Sequence, residues 1–155
     1  MSARTLELKV PPVALVLVAA ALAWFGAWSV PRLGFALPGR SFIAVGIASA
    51  GALVSVLGVL SFKRARTTVN PMKPEAATSL VVAGIYRVTR NPMYLGFLMI
   101  LLGWAAWLSN ALSFLPILLF ILYMNVFQIR PEERALEALF GSQFAAYKEK
   151  VRRWI

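Results

Sequence analysis

From Asn91 to Ile129 the chain runs for thirty-nine residues without a charged side chain. As one helix that stretch would be about 58 Å long, roughly twice the hydrocarbon thickness of a bilayer. The polar pair Ser109–Asn110 near its middle divides it into Pro92–Leu108 and Ala111–Gln128. This predicts a tight helical hairpin that crosses a membrane twice. Pro92 suits a first helical turn, where its missing N–H leaves nothing unpaired. Pro116 is expected to kink or loosen the second leg. Both legs are short for full spans, so tilt or a thin local membrane is expected.

Two more uncharged runs precede the hairpin, at about 10–31 and 41–62. The first has the wrong shape for a signal peptide, because Ser29, Val30 and Pro31 make a poor cleavage site after so long an apolar core. It reads as a retained span with Trp24 and Trp28 in an interfacial belt. Pro38 and Gly39 break the helix in the short connector. The second run carries Gly46, Gly51 and Gly58 among Ala44, Ala48, Ala50 and Ala52. Such a surface lets helices approach closely in lipid, against span one or against another copy.

The sequence is thus read as one all-α membrane domain over 1–155, an integral membrane bundle of four spans. A cytoplasmic loop fills about 63–91, and an amphipathic cytoplasmic helix fills 130–155. In that last segment Leu136, Leu139, Phe140, Phe144, Tyr147 and Val151 recur at three- and four-residue steps. Gly141 marks a bend. Composition agrees: 60% of residues are apolar and 14% charged, against about 45–50% and 25% in soluble domains. The net charge of +10 therefore reads as cytoplasmic flanks facing anionic lipid, not as a nucleic-acid surface. With four spans, fourteen of the sixteen Lys and Arg residues, from Arg4 to Arg153, fall on one side. The positive-inside rule puts both termini there, in the cytoplasm. Lys148, Lys150, Arg152 and Arg153 are read as lipid-headgroup contacts. The Ala-, Leu- and Arg-rich composition suggests a bacterial inner membrane.

The chemistry open to this chain is narrow. It has no Cys and no His, so thiolate nucleophiles and the commonest general base and metal ligand are missing. No metal site is expected. Coupled transporters usually hold an ionisable residue inside the membrane, and these spans have none. A small transporter or a non-catalytic membrane protein holding a zwitterion remains the alternative. The informative feature is convergence. A hairpin sets its open ends side by side, so Arg90 should meet Glu132 or Glu133 at the membrane edge. Such a mixed cluster can pair internally or bind a ligand with both ammonium and carboxylate. Tyr86 and Tyr94 offer hydroxyls to that site or serve as interface anchors. Trp104 and Trp107 read as belt residues or as tunnel lining.

The block Arg90–Asn91–Pro92–Met93–Tyr94–Leu95–Gly96, the pair Glu132–Glu133 and the Phe140–Gly141 step resemble the integral-membrane methyltransferases. These are typified by isoprenylcysteine carboxyl methyltransferase, with the phospholipid methyltransferases as relatives. Asn70–Pro71 and Gly84–Ile85–Tyr86 extend the resemblance, which covers about 67–151 as a methyltransferase-like core. It implies an enzyme that moves a methyl group from S-adenosylmethionine to a lipophilic small molecule or lipid acceptor (a carboxylate, thiol or amine) at the cytoplasmic face. It implies cofactor contacts at Arg90, Asn91, Pro92, Tyr94, Glu132 and Glu133, with Tyr86, Arg87 and Tyr147 on matching segments. Arg90, Glu132 and Glu133 are the implied catalytic set. Asn91 stands where the prenylcysteine enzymes have His. Asn keeps hydrogen-bonding capacity but cannot titrate.

Overall fold

The computed structural model describes residues 7–68 and 70–155; Arg4 and the rest of 1–6 lie outside the described residues. Five helices follow in order: α1 Pro12–Ser29, α2 Arg40–Arg64, α3 Pro92–Leu108, α4 Leu115–Tyr123 and α5 Arg130–Lys150. Among the described residues there is no strand, and a lone bridge joins Gly34 to Asn110. The chain is an all-α bundle. Three helical stretches are long and apolar enough to cross a membrane, Pro12–Ser29, Arg40–Arg64 and Ala111–Lys150, and the shorter Pro92–Leu108 is equally apolar in character.

α2 lies along α3 over the most extensive contact in the molecule. Of the small residues of the second span, Ala44, Ala48, Gly51 and Gly58 meet α3, whereas Gly46 has no neighbour within 4 Å of an added Cβ. A Cβ on Gly51 would stand 2.6 Å from the Gly96 carbonyl oxygen, and one on Gly103 would stand 2.7 Å from the Ala44 carbonyl oxygen. Backbones this close need glycine on both helices. Ser55 Oγ donates to the Met93 carbonyl at 3.2 Å and closes the same seam. α1 is tied on by side chains: Trp104 Nε1 donates to Ala20 O at 3.0 Å and Ser113 Oγ to Ala23 O at 3.1 Å. Trp104 is therefore a packing anchor. Trp107 is exposed, with the Arg40 guanidinium 5.6 Å from its ring centroid.

Helix α3 ends at Ser109, which adopts a left-handed φ of 48°. Asn110 caps the next turn through Leu112 N and donates to Val30 O. Pro116 does not kink a helix. A 3-10 turn over Ala111–Phe114 precedes it, so it sits in the first turn of α4, where no carbonyl awaits its N–H.

The last span and the tail are not separate elements. Helical backbone runs from Ala111 to Lys150 through a π-helical turn over Met124–Ile129. Pro131 offers no N–H to Phe127, four residues back, and the Phe127 carbonyl accepts from Leu8 N at 3.0 Å instead. Within α5, Gly141 takes φ 49° and ψ −123°, a region few other residues enter. The bend turns Phe144, Tyr147 and Val151 onto Leu80, Leu136 and Phe140. Leu139, expected on that apolar face, points outward and is exposed. The helix also stops earlier than expected: residues 151–155 leave it as irregular chain.

Candidate functional site

The connection from α2 to α3 is an ordered loop folded over the inner ends of α3 and α5. Its base is stapled to the end of α2: Thr78 N donates to Thr67 Oγ1 at 3.0 Å and Ser79 Oγ to Ala65 O at 3.1 Å. Asn70 forms an Asx turn with Met72 N at 3.0 Å. Two short 3-10 turns, Pro74–Ala76 and Gly84–Arg87, punctuate the loop. Gly84, at φ 63°, starts the second and aims Tyr86 inward. The Tyr86 ring meets Phe62 edge-on at 5.4 Å between centroids, and its carbonyl accepts from Tyr147 Oη at 2.7 Å.

A cavity opens between this loop, α3 and α5. Arg90, Asn91, Tyr86, Tyr94, Glu132, Glu133 and Tyr147 line it beside apolar walls such as Leu80, Val81 and Phe144. Of the residues the sequence singled out, Arg87 and Pro92 are not in its lining. Arg87 is exposed, and Pro92 is buried in the first turn of α3. A second, smaller cavity lies under the Asn70–Pro71 turn and shares Met93, Tyr94 and Glu132 with the first.

Two charge clusters define the polar wall. In one, Arg90 Nη2 lies 3.2 Å from Glu133 Oε1, and both side chains are largely buried. Arg90 Nε and Nη1 are buried without a hydrogen-bond partner among the described residues. Buried guanidinium donors left unpaired are costly. In the other, Glu132 Oε1 accepts from Tyr94 Oη and, at 2.5 Å, from Gln128 Nε2. Burial raises the Glu132 carboxyl to about 7, with Glu133 adding to the rise and the Tyr94 and Gln128 bonds opposing it. Burial also holds the hydroxyls of Tyr86 and Tyr147 well above the ordinary phenol range, so both remain neutral donors at neutral pH.

Gln128 escaped the sequence reading, which treated it as the end of a span. Fully buried, it also donates to the Pro71 carbonyl at 2.7 Å, so one amide ties the loop tip to Glu132. Its signal was faint: an amide four residues before Glu132 on one helical face. Arg153 escaped too. The segment after α5 turns back and sets Arg153 Nη2 2.6 Å from Glu133 Oε2, a pairing that its reading as a headgroup contact did not include. Asn91 spends its amide on the fold, donating to the Arg153 carbonyl at 2.9 Å.

A sequence model of the phospholipid methyltransferase family matches residues 40–143. An uncharacterized protein of Haemophilus influenzae is 52% identical over 63 residues, which is 41% of this chain and all of that protein. A probable protein-S-isoprenylcysteine O-methyltransferase of Oryza sativa subsp. indica is 30% identical over 72% of this chain and 58% of its own length. The protein-S-isoprenylcysteine O-methyltransferase of Saccharomyces cerevisiae is 39% identical over 51% of this chain and 33% of its own. The chain thus aligns with between a third and three fifths of these named methyltransferases. No solved structure matches it.

Proposed function

The chain belongs to the phospholipid methyltransferase family, and from that membership we propose that it is an S-adenosylmethionine-dependent membrane methyltransferase acting on a lipophilic acceptor. The observation that carries the reading is the pair of buried, unpartnered Arg90 donors beside Glu132 and Glu133 in the inner cavity. This donor set fits the cofactor's polar end. Arg90 Nε and Nη1 suit a carboxylate, with the charge-assisted bonds that are the stronger kind. Both bonds to Glu132 end on Oε1, which leaves Oε2 to meet an ammonium. The apolar walls at Leu80, Val81 and Phe144 suit the less polar remainder.

When bound, S-adenosylmethionine supplies a methyl group already activated by its sulfonium. The residues then have positioning to do. Arg90 and Glu132 fix one end of the ligand, and alignment of this kind can lower a barrier by several kcal/mol. The loop over 70–79, held by Gln128, keeps water from the cavity. A carboxylate or thiolate acceptor arrives deprotonated and needs no base. An amine acceptor must lose a proton, and we assign that role to Glu132, raised to about 7.

In this reading all four hydrophobic segments cross the bilayer, with α3 and the α4 stretch as the hairpin legs. The loop, α5 and both termini face the cytoplasm, in a bacterial inner membrane. The Arg134–Glu7 ion pair at 2.6 Å supports a shared side for the N-terminal segment and α5. The acceptor enters from the lipid as a small lipophilic molecule or a lipid.

The test is methyl transfer itself. Detergent-solubilised protein is incubated with methyl-labelled S-adenosylmethionine and lipophilic carboxylates, thiols and amines in parallel. Label should pass to one class with the wild-type chain and not with Arg90→Ala. Failure with all three classes in folded protein would contradict the reading.

A further inference from the structure

Arg153 belongs to a segment that sequence periodicity assigns to the membrane surface, yet the fold sets it behind Glu133, one of the residues that line the cavity. Its Nη2 and Nε reach Glu133 Oε2 and Oε1 at 2.6 and 3.1 Å, a two-pronged guanidinium–carboxylate pair. Glu133 Oε1 is the same oxygen that Arg90 Nη2 approaches at 3.2 Å. The backbone of this segment holds the other end of the assembly. The Arg152 carbonyl accepts from Arg90 N at 3.0 Å, and the Arg153 carbonyl accepts from Asn91 Nδ2 at 2.9 Å and Thr89 Oγ1 at 3.3 Å. Asn125 steadies the side chains by accepting from Trp154 Nε1 at 3.2 Å and Arg153 Nη1 at 3.4 Å.

Two arginines thus share one carboxylate. The cluster of Arg90, Glu133 and Arg153 carries a net charge of +1, and its open donors are on Arg90. Because Arg153 occupies both Glu133 oxygens, Glu133 cannot form its own two-pronged pair with Arg90. The Nε and Nη1 donors of Arg90 are thereby kept for a ligand. The geometry points to Arg153 as a positioning residue for the cofactor's carboxylate: it acts through Glu133 to hold Arg90 open to the cavity. This rests on the reading of the cavity as the S-adenosylmethionine site.

Without Arg153, Glu133 turns both oxygens to Arg90, occupies one of the free donors beside Nη2 and cancels its charge. Calorimetric titration of the detergent-solubilised chain with S-adenosylhomocysteine separates this from loss of fold. For Arg153→Gln we expect a dissociation constant raised at least tenfold with the number of sites per chain unchanged. Arg153→Lys, which restores the charge, should recover most of the affinity. A merely structural role would lower the number of sites and leave the dissociation constant of the remaining molecules as in wild type, and that result would overturn the proposal. So would wild-type affinity in Arg153→Gln. No binding by the folded wild-type chain would instead overturn the cofactor reading and the proposal with it.

Discussion

Tyr94, in the first turns of α3, gives its hydroxyl hydrogen to Glu132 of α5, and Gln128 gives its amide to the same carboxylate oxygen. The Glu132 carboxyl is therefore held by neutral donors, while its neighbour Glu133 is held by two guanidiniums. The two adjacent glutamates have different environments, and the division of labour proposed for them follows from that difference.

The Glu132 carboxyl predicts a pH dependence of stability. Its folded value of about 7 lies above the ordinary 4.5. Between those values the folded chain keeps a proton that the unfolded chain has released, so this contribution is full below about 4.5 and is lost as pH rises through 7. The difference of two to three units corresponds to roughly 3 kcal/mol as an upper bound. Thermal melting in detergent should show wild-type Tm falling relative to Glu132→Gln between pH 5 and 8. Parallel curves would contradict the assignment.

Glu132 also separates the acceptor classes. With an amine acceptor, turnover should rise with pH through about 7 and fall by about 100-fold or more in Glu132→Gln, a typical range for loss of a general base. With a carboxylate acceptor, the variant should keep a flat profile between pH 6 and 8. Rates measured on the acceptor identified by labelling decide between them.

The α2–α3 seam predicts a contrast between glycines of one helix. Gly51→Ala would press a methyl into the Gly96 carbonyl and the Met99 Cβ at 2.6 and 2.8 Å, a cost of about 1–3 kcal/mol for overpacking. Gly46 has nothing within 4 Å of an added Cβ, so Gly46→Ala should be neutral or gain up to about 1 kcal/mol from helix propensity. Equal Tm shifts for the two variants would show that the seam is not the tight contact described.

Gln128 predicts a loop held from beneath. In Gln128→Ala the Pro71 carbonyl loses its donor. Hydrogen exchange over residues 70–79 should then quicken about 10-fold, as expected for the loss of one hydrogen bond of about 1 kcal/mol or slightly more. Exchange in the α2–α3 seam should stay unchanged. Unaltered exchange in the loop would remove Gln128 from the role of latch.

Much of this was legible in the residues. Charge-free runs and their breakers located the helices, and Pro92 and Leu108 bound α3 where the pattern placed them. The approach of Arg90 to Glu133 followed from adjoining helix ends. Other features lay beyond periodicity. Pro116 looked like a helix breaker because the 3-10 turn before it has no sequence period of its own. The π-helical turn joining α4 to α5 is set by what Gln128 and Phe127 must reach across the fold, and local propensity does not record that. Arg153 looked like any basic residue near lipid. Only the bend at Gly141 and the end of α5 at Lys150 bring it back to Glu133. The partner of the small-residue face on α2 was likewise open until Gly51 and Gly96 were seen in contact.

The central claim is that the cavity beneath the loop holds S-adenosylmethionine by its polar end. Calorimetric titration of the solubilised chain with S-adenosylmethionine tests it most directly, with Arg90→Ala and Glu132→Ala beside it. The account predicts saturable one-site binding by the wild-type chain, weakened about 10- to 100-fold in each variant, the range for a lost hydrogen bond to a charged group. Absence of binding at millimolar ligand by folded wild-type protein, or undiminished binding in both variants, would contradict it.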